Sequence, residues 1–144
     1  RGAMLAELAA AGTPLDLARV HFVGQLPHAR YLQALQVSAA HVYLTVPFVL
    51  SWSMLEAMAC GALVVGSRTS PVEEVIEDGI DGVLVDFFDR DALVAAVLAA
   101  LRDPARHAPL RAAARAKILA RYDLRTRCLP AGLALLEDVA ARRT

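Results

Sequence analysis

The sequence lacks the features that would assign it to several protein classes. Its two cysteines, Cys60 and Cys128, lie far apart and match no metal-site or disulfide spacing, so we interpret them as reduced thiols. Fifteen basic residues balance fifteen acidic residues, and this absence of net charge argues against a nucleic-acid partner. No apolar run approaches the roughly 20 residues that span a bilayer, and no signal peptide is visible. We therefore expect a cytoplasmic protein, or one peripheral to the inner face of the membrane.

Patterns of metal binding and covalent catalysis are also absent. His21, His28 and His41 have no partner at the spacing of a metal site, and we expect them to be structural or exposed. Ser51 and Ser53 have no histidine and aspartate in the order of a catalytic triad, which argues against a serine nucleophile. These residues therefore predict neither a metal site nor a catalytic nucleophile.

What the sequence does contain is enough apolar residues for a core and a regular alternation of elements. Hydrophobic residues make up 57% of the 144 positions, which is ample for one domain. The predicted strands are at 19–24, 41–45, 62–66 and 83–85, and the predicted helices at 3–11, 28–39, 52–60, 71–77, 91–101, 104–121 and 130–141. This order predicts an α/β fold, a doubly wound parallel sheet of about four strands with flanking helices. The basic residues of the last two helices are interpreted as solvated faces.

The stretch from Val46 to Ser67 is the best candidate for a site. It leaves a strand as a loop, becomes a helix near Trp52 and returns to a strand after Gly61, which makes one βαβ unit. The predicted buried face consists of the apolar residues at helical spacing, Met54, Leu55, Met58 and Ala59. Glu56 and Ala57 are predicted on the other faces. Because ligands of open α/β sheets bind where loops leave the carboxyl ends of strands, Glu56 is the best candidate for ligand contact.

The segment from Leu55 to Asp89 carries a family resemblance. Its sequence, LEAMACGALVVGSRTSPVEEVIEDGIDGVLVDFFD, resembles the donor-binding signature of retaining group 1 glycosyltransferases, which have two Rossmann-like domains in the GT-B arrangement. The upstream run VHFVGQLPHARYLQALQVSAAHVYLT is similar to the lead-in of the same family, so the resemblance covers roughly residues 19–100. It implies that residues 1–144 are part of a GT-B carboxyl-terminal, donor-binding domain.

The resemblance implies roles for the loop and helix of the candidate stretch. Glu56 matches the second glutamate of the family motif, which accepts hydrogen bonds from the ribose hydroxyls of the nucleotide. A carboxylate suits that role because it accepts from two adjacent hydroxyls at once. Leu50, Ser51 and Trp52 match the loop whose backbone amides approach the donor sugar and its diphosphate, and amides at a helix start favour anions.

Other positions match the family outside this stretch. Gly24, Gln25 and Leu26 match the segment that lies against the nucleotide base. Arg68 follows a strand at the ligand edge and is a candidate for phosphate contact, with a structural role as the alternative. Glu74 matches a glutamate for which a structural role in the loop and contact with the donor are both open.

One position departs from the family. Eight residues before Glu56, where the family usually has the glutamate that holds the donor sugar, this sequence has Phe48. The segment PFVLSWS also replaces a glycine-rich loop, so backbone approach must be achieved without the freedom of glycine. Two interpretations stay open, a subfamily that holds its sugar differently and an altered donor site. For Phe48 and Trp52, a platform for a sugar ring and packing in the core or between domains are alternatives.

The resemblance implies a hexosyltransferase-type enzyme that moves a sugar from a nucleotide-diphosphate sugar to an acceptor hydroxyl with retained configuration. In GT-B enzymes side chains and helix ends, rather than a metal, stabilise the leaving diphosphate, so no metal or cofactor is expected. The alternative is a non-catalytic module on the same fold that binds a nucleotide or a partner, which Phe48 favours. A sugar-nucleotide epimerase shares the architecture but not the AMACG context.

The resemblance also implies missing parts. The family's phosphate-clamping strands and its amino-terminal, acceptor-binding domain do not precede Arg1, so we expect no catalytic residue here and no transfer activity from the chain alone. Its expected partners are the nucleotide-sugar donor and its own missing amino-terminal domain. Absent strands also predict a homo-oligomer or a strand swap between copies.

Overall fold

The computed structural model describes residues 2–12, 16–46 and 50–142, which divide into two compact units, 1–31 and 32–144. The strands are β1 (Ala40–Tyr43), β2 (Leu63–Ser67) and β3 (Val83–Val85). The helices are α1 (Gly2–Ala10), α2 (His28–Val37), α3 (Trp52–Cys60), α4 (Ser70–Glu73), α5 (Arg90–Arg102), α6 (Ala108–Tyr122) and α7 (Leu129–Ala141). A 3-10 turn spans Leu17–Arg19 and a π-helical turn spans Leu124–Cys128. Within these described ranges, no helix combines the length and hydropathy needed to cross a membrane.

The first unit corrects one predicted element. The strand expected at 19–24 is absent, because residues 20–27 form neither helix nor strand. Asp16 closes the preceding 3-10 turn by accepting a hydrogen bond from Ala18 N at 3.1 Å. Val20 and Phe22, which suggested a strand, are 37% and 40% exposed. An alternating apolar pattern forms a strand only beside a partner that takes its backbone hydrogen bonds, so the described sheet has three strands rather than about four.

The second unit is organised around β2, whose five residues are all buried. It lies between β1 and β3 and pairs with both in parallel. Two of its residues have partners on both sides: Val65 lies opposite Val42 and Val83, and Gly66 lies opposite Tyr43 and Leu84. A strand paired on both edges and covered on both faces explains the uninterrupted apolar run that predicted it.

Helices cover both faces of this sheet. On one face Leu63 and Val65 form a buried cluster with Ala100 of α5. On the other face a Cβ on Gly66 would lie 3.3 Å from Val72 of α4, and Tyr43, opposite Gly66 in register, contacts the start of α3. Successive side chains of a strand point to opposite faces, so one strand serves both layers. The doubly wound parallel sheet is therefore confirmed.

Helix α3 has the predicted bounds, but Leu55 and Ala59, which were predicted on its buried face, are only half-buried. It begins after Ser51, its N-cap, and ends at Gly61, whose φ of +79° gives the left-handed cap that glycine favours. Its buried residues are Met54, Ala57 and Met58. The prediction that Ala57 lies on an outer face is wrong, because α6 packs along α3 and covers a second side of it.

Three basic residues of α6 donate hydrogen bonds to backbone carbonyls of other segments. Arg111 donates to Gly61 O at 2.7 Å, and Arg115 donates to Ala59 O. Both acceptors lie at the end of α3, where carbonyls have no helical partner and the helix dipole is negative. Lys117 donates to Val75 O at 2.9 Å. The predicted solvated role is wrong for Arg111 and Lys117, which are half-buried, whereas Arg115 is exposed. All three side chains join α6 to the rest of the unit.

The turn before β3 contains a buried ion pair that the sequence did not suggest. Asp81 is 2% exposed and pairs with Lys117, while its carboxylate also accepts from Glu77 N at 2.8 Å. The next residue, Gly82, has no room for a side chain, since a Cβ there would lie 2.7 Å from Ile76. Glycine is therefore required directly before β3.

Candidate functional site

The carboxyl ends of the three strands lie along one edge of the sheet. The loop after β1 leads to Ser51, the loop after β2 begins with Arg68, and the loop after β3 begins with Asp86. Parallel sheets bind ligands at this edge because loops of different strands converge there. The candidate site is therefore built from segments that the sequence places far apart.

Two side chains of the sheet anchor the loop after β1. Ser67, fully buried at the end of β2, donates to Thr45 O and accepts from Thr45 N, both at 3.0 Å. At the other end of the loop, the Tyr43 hydroxyl accepts from Ser51 N at 2.9 Å. The Ser67 hydroxyl thus satisfies the backbone N–H and C=O of Thr45, and the Tyr43 hydroxyl positions Ser51 at the start of α3.

The start of α3 is a positively polarised helix end. The Ser51 hydroxyl accepts from Ser53 N at 3.3 Å, and no acidic residue occupies the first turn of α3. Backbone N–H groups of a first helical turn favour an anion. Trp52 is 80% exposed beside them, so it does not belong to the core of its unit.

Glu56 lies in the second turn of α3 and is half-buried. Its charge contributes to a raised pKa of Cys60, one turn further on, for which burial is the main cause and Arg115 the opposing influence. The carboxylate is therefore neither sealed in the core nor fully solvated. Leu50, which is half-buried, and Ser51, Trp52 and Glu56 all lie in the loop before α3 or in the first two turns of α3.

Arg68 reaches the same edge but is engaged inside the unit. Its guanidinium pairs with Asp78 and with Glu73, the latter at 3.6 Å, and donates to Leu84 O at 3.3 Å. The hydrogen bond to Asp78 is the main reason why the pKa of Arg68 is raised. Two carboxylates compensate this cation, and its contact with a phosphate stays a prediction.

The remaining predicted residues lie elsewhere. Glu74 is exposed and lines a pocket of about 440 Å³ together with Arg68 and Lys117. Phe48 lies outside the described residues. The candidates for contact with the base lie in the first unit, just before α2. Gly24 and Gln25 are exposed there, and Leu26 is half-buried. Among the described residues, no three histidine, cysteine or acidic side chains are grouped as metal ligands.

A second pocket, of about 320 Å³, lies where all three strands end; we call it the strand-end pocket. Its lining residues are Val46, Arg68, Thr69, Asp86, Phe87 and Phe88. Sequence reasoning missed it. The available signal was the pair Phe87-Phe88 directly after a buried strand, where consecutive aromatic residues cannot both face the core.

Comparison with known proteins places this geometry in a family context. A family model described as "Glycosyl transferases group 1" matches residues 2–103. A curated relative, the GDP-mannose-dependent alpha-(1-6)-phosphatidylinositol monomannoside mannosyltransferase of Mycolicibacterium smegmatis, is 40% identical over 89 residues. The match covers 62% of this chain and 22% of the relative, so the chain spans about a fifth of that protein.

Solved structures share the fold. A sucrose-phosphate synthase of Thermosynechococcus elongatus matches with a TM-score of 0.79 and 25% identity, over 96% of this chain and 34% of that one. HepE of Anabaena matches with 19% identity over 97% of this chain and 36% of its own length. The TM-score is 0.74 for its complex with UDP and 0.78 for its complex with UDP-glucose.

Proposed function

The chain belongs to the group 1 glycosyltransferases, and from this premise we propose that it is the donor-binding part of a retaining hexosyltransferase. The proposed reaction moves a sugar from a nucleotide-diphosphate sugar to an acceptor hydroxyl. The observation that carries the proposal is Glu56, half-buried one turn inside a helix that starts at the carboxyl edge of a parallel sheet.

Each part of this helix start has a proposed role. Glu56 accepts hydrogen bonds from the two ribose hydroxyls of the nucleotide. The amides near Ser51 and the positive end of the α3 dipole hold the diphosphate and stabilise its charge as it leaves. Exposed Trp52 offers an apolar face to the donor sugar, and Leu50 supplies a backbone amide of the same loop. These roles require no metal.

We propose GDP-mannose as the first donor to test. The support is the mannosyltransferase relative, which is GDP-mannose-dependent by name and 40% identical over 89 residues. Gly24, Gln25 and Leu26 are the proposed contacts of the base, by their match to the family. Arg68 and Glu74 are secondary candidates for donor contact.

We also propose that the 144-residue chain alone forms no transfer product. The support is that this chain covers only 22% of the length of the mannosyltransferase and 34% of the length of the sucrose-phosphate synthase. Acceptor binding and the reacting groups are then supplied by a further domain of the same protein. Product formed by the isolated chain from any donor would contradict this.

A non-catalytic binding module is the second candidate function. Two observations favour it, Phe48 in place of the family's sugar-holding glutamate and the compensation of Arg68 by Asp78 and Glu73. Such a module would bind a nucleotide or a partner without transfer. The two candidates differ in whether the full-length protein hydrolyses or transfers a bound donor.

Calorimetric titration with nucleotides tests the role of Glu56. GDP should bind the chain, and Glu56→Gln should weaken binding by roughly 10- to 100-fold, because hydrogen bonds to a charged acceptor are lost. Glu137→Gln on exposed α7 is the matched control and should bind GDP unchanged.

A ribose-modified nucleotide sharpens this test. 2′-Deoxy-GDP should bind the unmodified chain more weakly than GDP does, whereas Glu56→Gln should bind both nucleotides with similar affinity. If GDP, UDP and ADP all fail to bind, or if Glu56→Gln matches the control, the proposed donor site is wrong.

A further inference from the structure

The strand-end pocket is lined by a pair of packed aromatic rings, one of which is exposed to solvent. Phe87 and Phe88 pack edge to face, with ring centroids 5.0 Å apart and planes at 78°, and Phe88 is 88% exposed. The loop that carries them is fixed on both sides. Asp86 accepts from Phe88 N at 2.8 Å, and Asp89 accepts from Ala92 N at the same distance. The backbone that carries the two rings is therefore ordered by the loop itself, and a preordered loop lowers the entropic cost of binding.

The polar lining of the pocket selects a neutral ligand rich in hydroxyl groups. The Asp86 carboxylate has two acceptor oxygens, of which one already accepts from Phe88 N. The hydroxyl of half-buried Thr69 can donate or accept a hydrogen bond. Arg68 is the cation of the lining, but Asp78 and Glu73 compensate it. An anionic ligand would therefore meet the Asp86 charge without a free cation to offset it.

The shape of the pocket agrees with this chemistry. Its volume of about 320 Å³ is at the lower end of ligand pockets and suits a ligand of monosaccharide size. A flat apolar ring beside oxygen acceptors matches a pyranose, which has an apolar C–H face and a rim of hydroxyl groups. Val46 also lines the pocket, whereas Glu56 is not among its lining residues.

We propose that the strand-end pocket is a second carbohydrate subsite, which holds a pyranose ring of a saccharide against Phe88. Asp86 accepts from the hydroxyls of that ring, and Thr69 adds a hydroxyl contact. This binding of a saccharide at Phe88 does not depend on the proposed donor site at Glu56.

Saturation-transfer NMR with the full chain tests the subsite without a nucleotide. Methyl α-D-mannopyranoside is the probe, and glycerol is the control polyol that lacks a ring face. Ring protons of the pyranoside should be saturated and those of glycerol should not. Phe88→Ala should weaken pyranoside binding about threefold to tenfold, while Phe88→Trp keeps or strengthens it.

Matched variants separate this subsite from general surface effects. Leu136→Ala removes an apolar side chain that is 68% exposed on α7 and should leave pyranoside binding unchanged. Asp86→Asn keeps an oxygen for Phe88 N but loses the charge, and should weaken binding, whereas Asp91→Asn on exposed α5 should not.

The outcome is distinguishable from that of the donor-site test. Phe88→Ala should leave GDP affinity unchanged, because Phe88 has no proposed nucleotide contact. Absence of pyranoside saturation, or saturation that Phe88→Ala and Phe88→Trp leave unchanged, overturns the subsite and leaves the donor proposal standing. Saturation that is lost in Phe88→Ala supports the subsite even if GDP fails to bind.

Discussion

His41 in β1 has an environment that favours its neutral form. Its ring stacks on Tyr43 with centroids 6.5 Å apart, and among the described residues its Nε2 is buried without a hydrogen-bond partner. Burial lowers the pKa of His41 because a charged imidazolium would lose hydration there without gaining a partner. The neutral ring packs without this cost.

This environment predicts a pH-dependent stability. The unfolded chain protonates His41 at its ordinary pKa of about 6.5, whereas the folded chain does so only at lower pH. Stability is therefore fully present above that value and falls as the pH drops toward the lowered folded pKa. When the free energy of unfolding is measured with denaturant at pH 7.5 and at pH 5.5, it should fall less between the two pH values for His41→Gln than for the unmodified chain. Equal losses in the two proteins would contradict the prediction.

Residues close in the chain were the predictable part of the candidate site. Ser51, Trp52 and Glu56 fall in one loop and helix, so local spacing was enough to group them. The strand-end pocket was not predictable in this way. It combines Val46, Arg68 and Phe88 from three loops that only the strand register brings to one edge.

At the scale of elements, one side chain joins α6 to the turn before β3. Lys117 contacts both Val75 O and the buried carboxylate of Asp81. The pair is enclosed, with side chains 19% and 1% exposed. Removing one partner of such a pair leaves an uncompensated charge, which costs more than the pair itself contributes.

We expect Lys117→Met to lower the free energy of unfolding by about 3 kcal/mol, because Asp81 stays buried without its cation. The double variant Lys117→Met/Asp81→Asn should recover part of this loss. Arg90→Met is the control, since its pair with Asp91 is solvent-exposed and should change stability by less than about 1 kcal/mol. Chemical denaturation measures all three. Similar losses for Lys117→Met and Arg90→Met would show that the buried pair contributes little.

The elements also show where sequence reasoning succeeded and failed. Helix α3 was predictable because a capping serine, a helical apolar period and Gly61 all agree locally. The strand expected at 19–24 failed because its pattern needed a pairing partner that the described structure does not give it. The pair Asp81–Lys117 joins positions far apart in the sequence, so no local spacing could reveal it.

At the scale of the whole molecule, α7 carries unusually many exposed apolar residues. The structure records no buried residue in this helix. Its exposed large apolar residues are Leu129, Leu133, Leu135, Leu136 and Val139. Contiguous apolar surface of this kind marks an interaction site or favours association.

We therefore expect the isolated chain to associate, in agreement with the proposed homo-oligomer. Sedimentation should give a mass above the 15.4 kDa of one chain and rising with concentration. Leu133→Glu/Leu136→Glu should shift the protein toward monomer, because charges on α7 oppose burial. Val37→Glu, at a position 86% exposed on α2, is the control and should associate like the unmodified chain. A monomer at all concentrations would contradict both association through α7 and a strand swap.

The two anchors of the loop after β1 have a practical consequence for engineering. Ser67 holds Thr45 and Tyr43 holds Ser51, so each end of the connection between β1 and α3 has its own hydrogen bond to the sheet. A combinatorial library confined to positions 46–50 should diversify ligand preference while leaving the melting temperature nearly constant, provided that Tyr43 and Ser67 are retained.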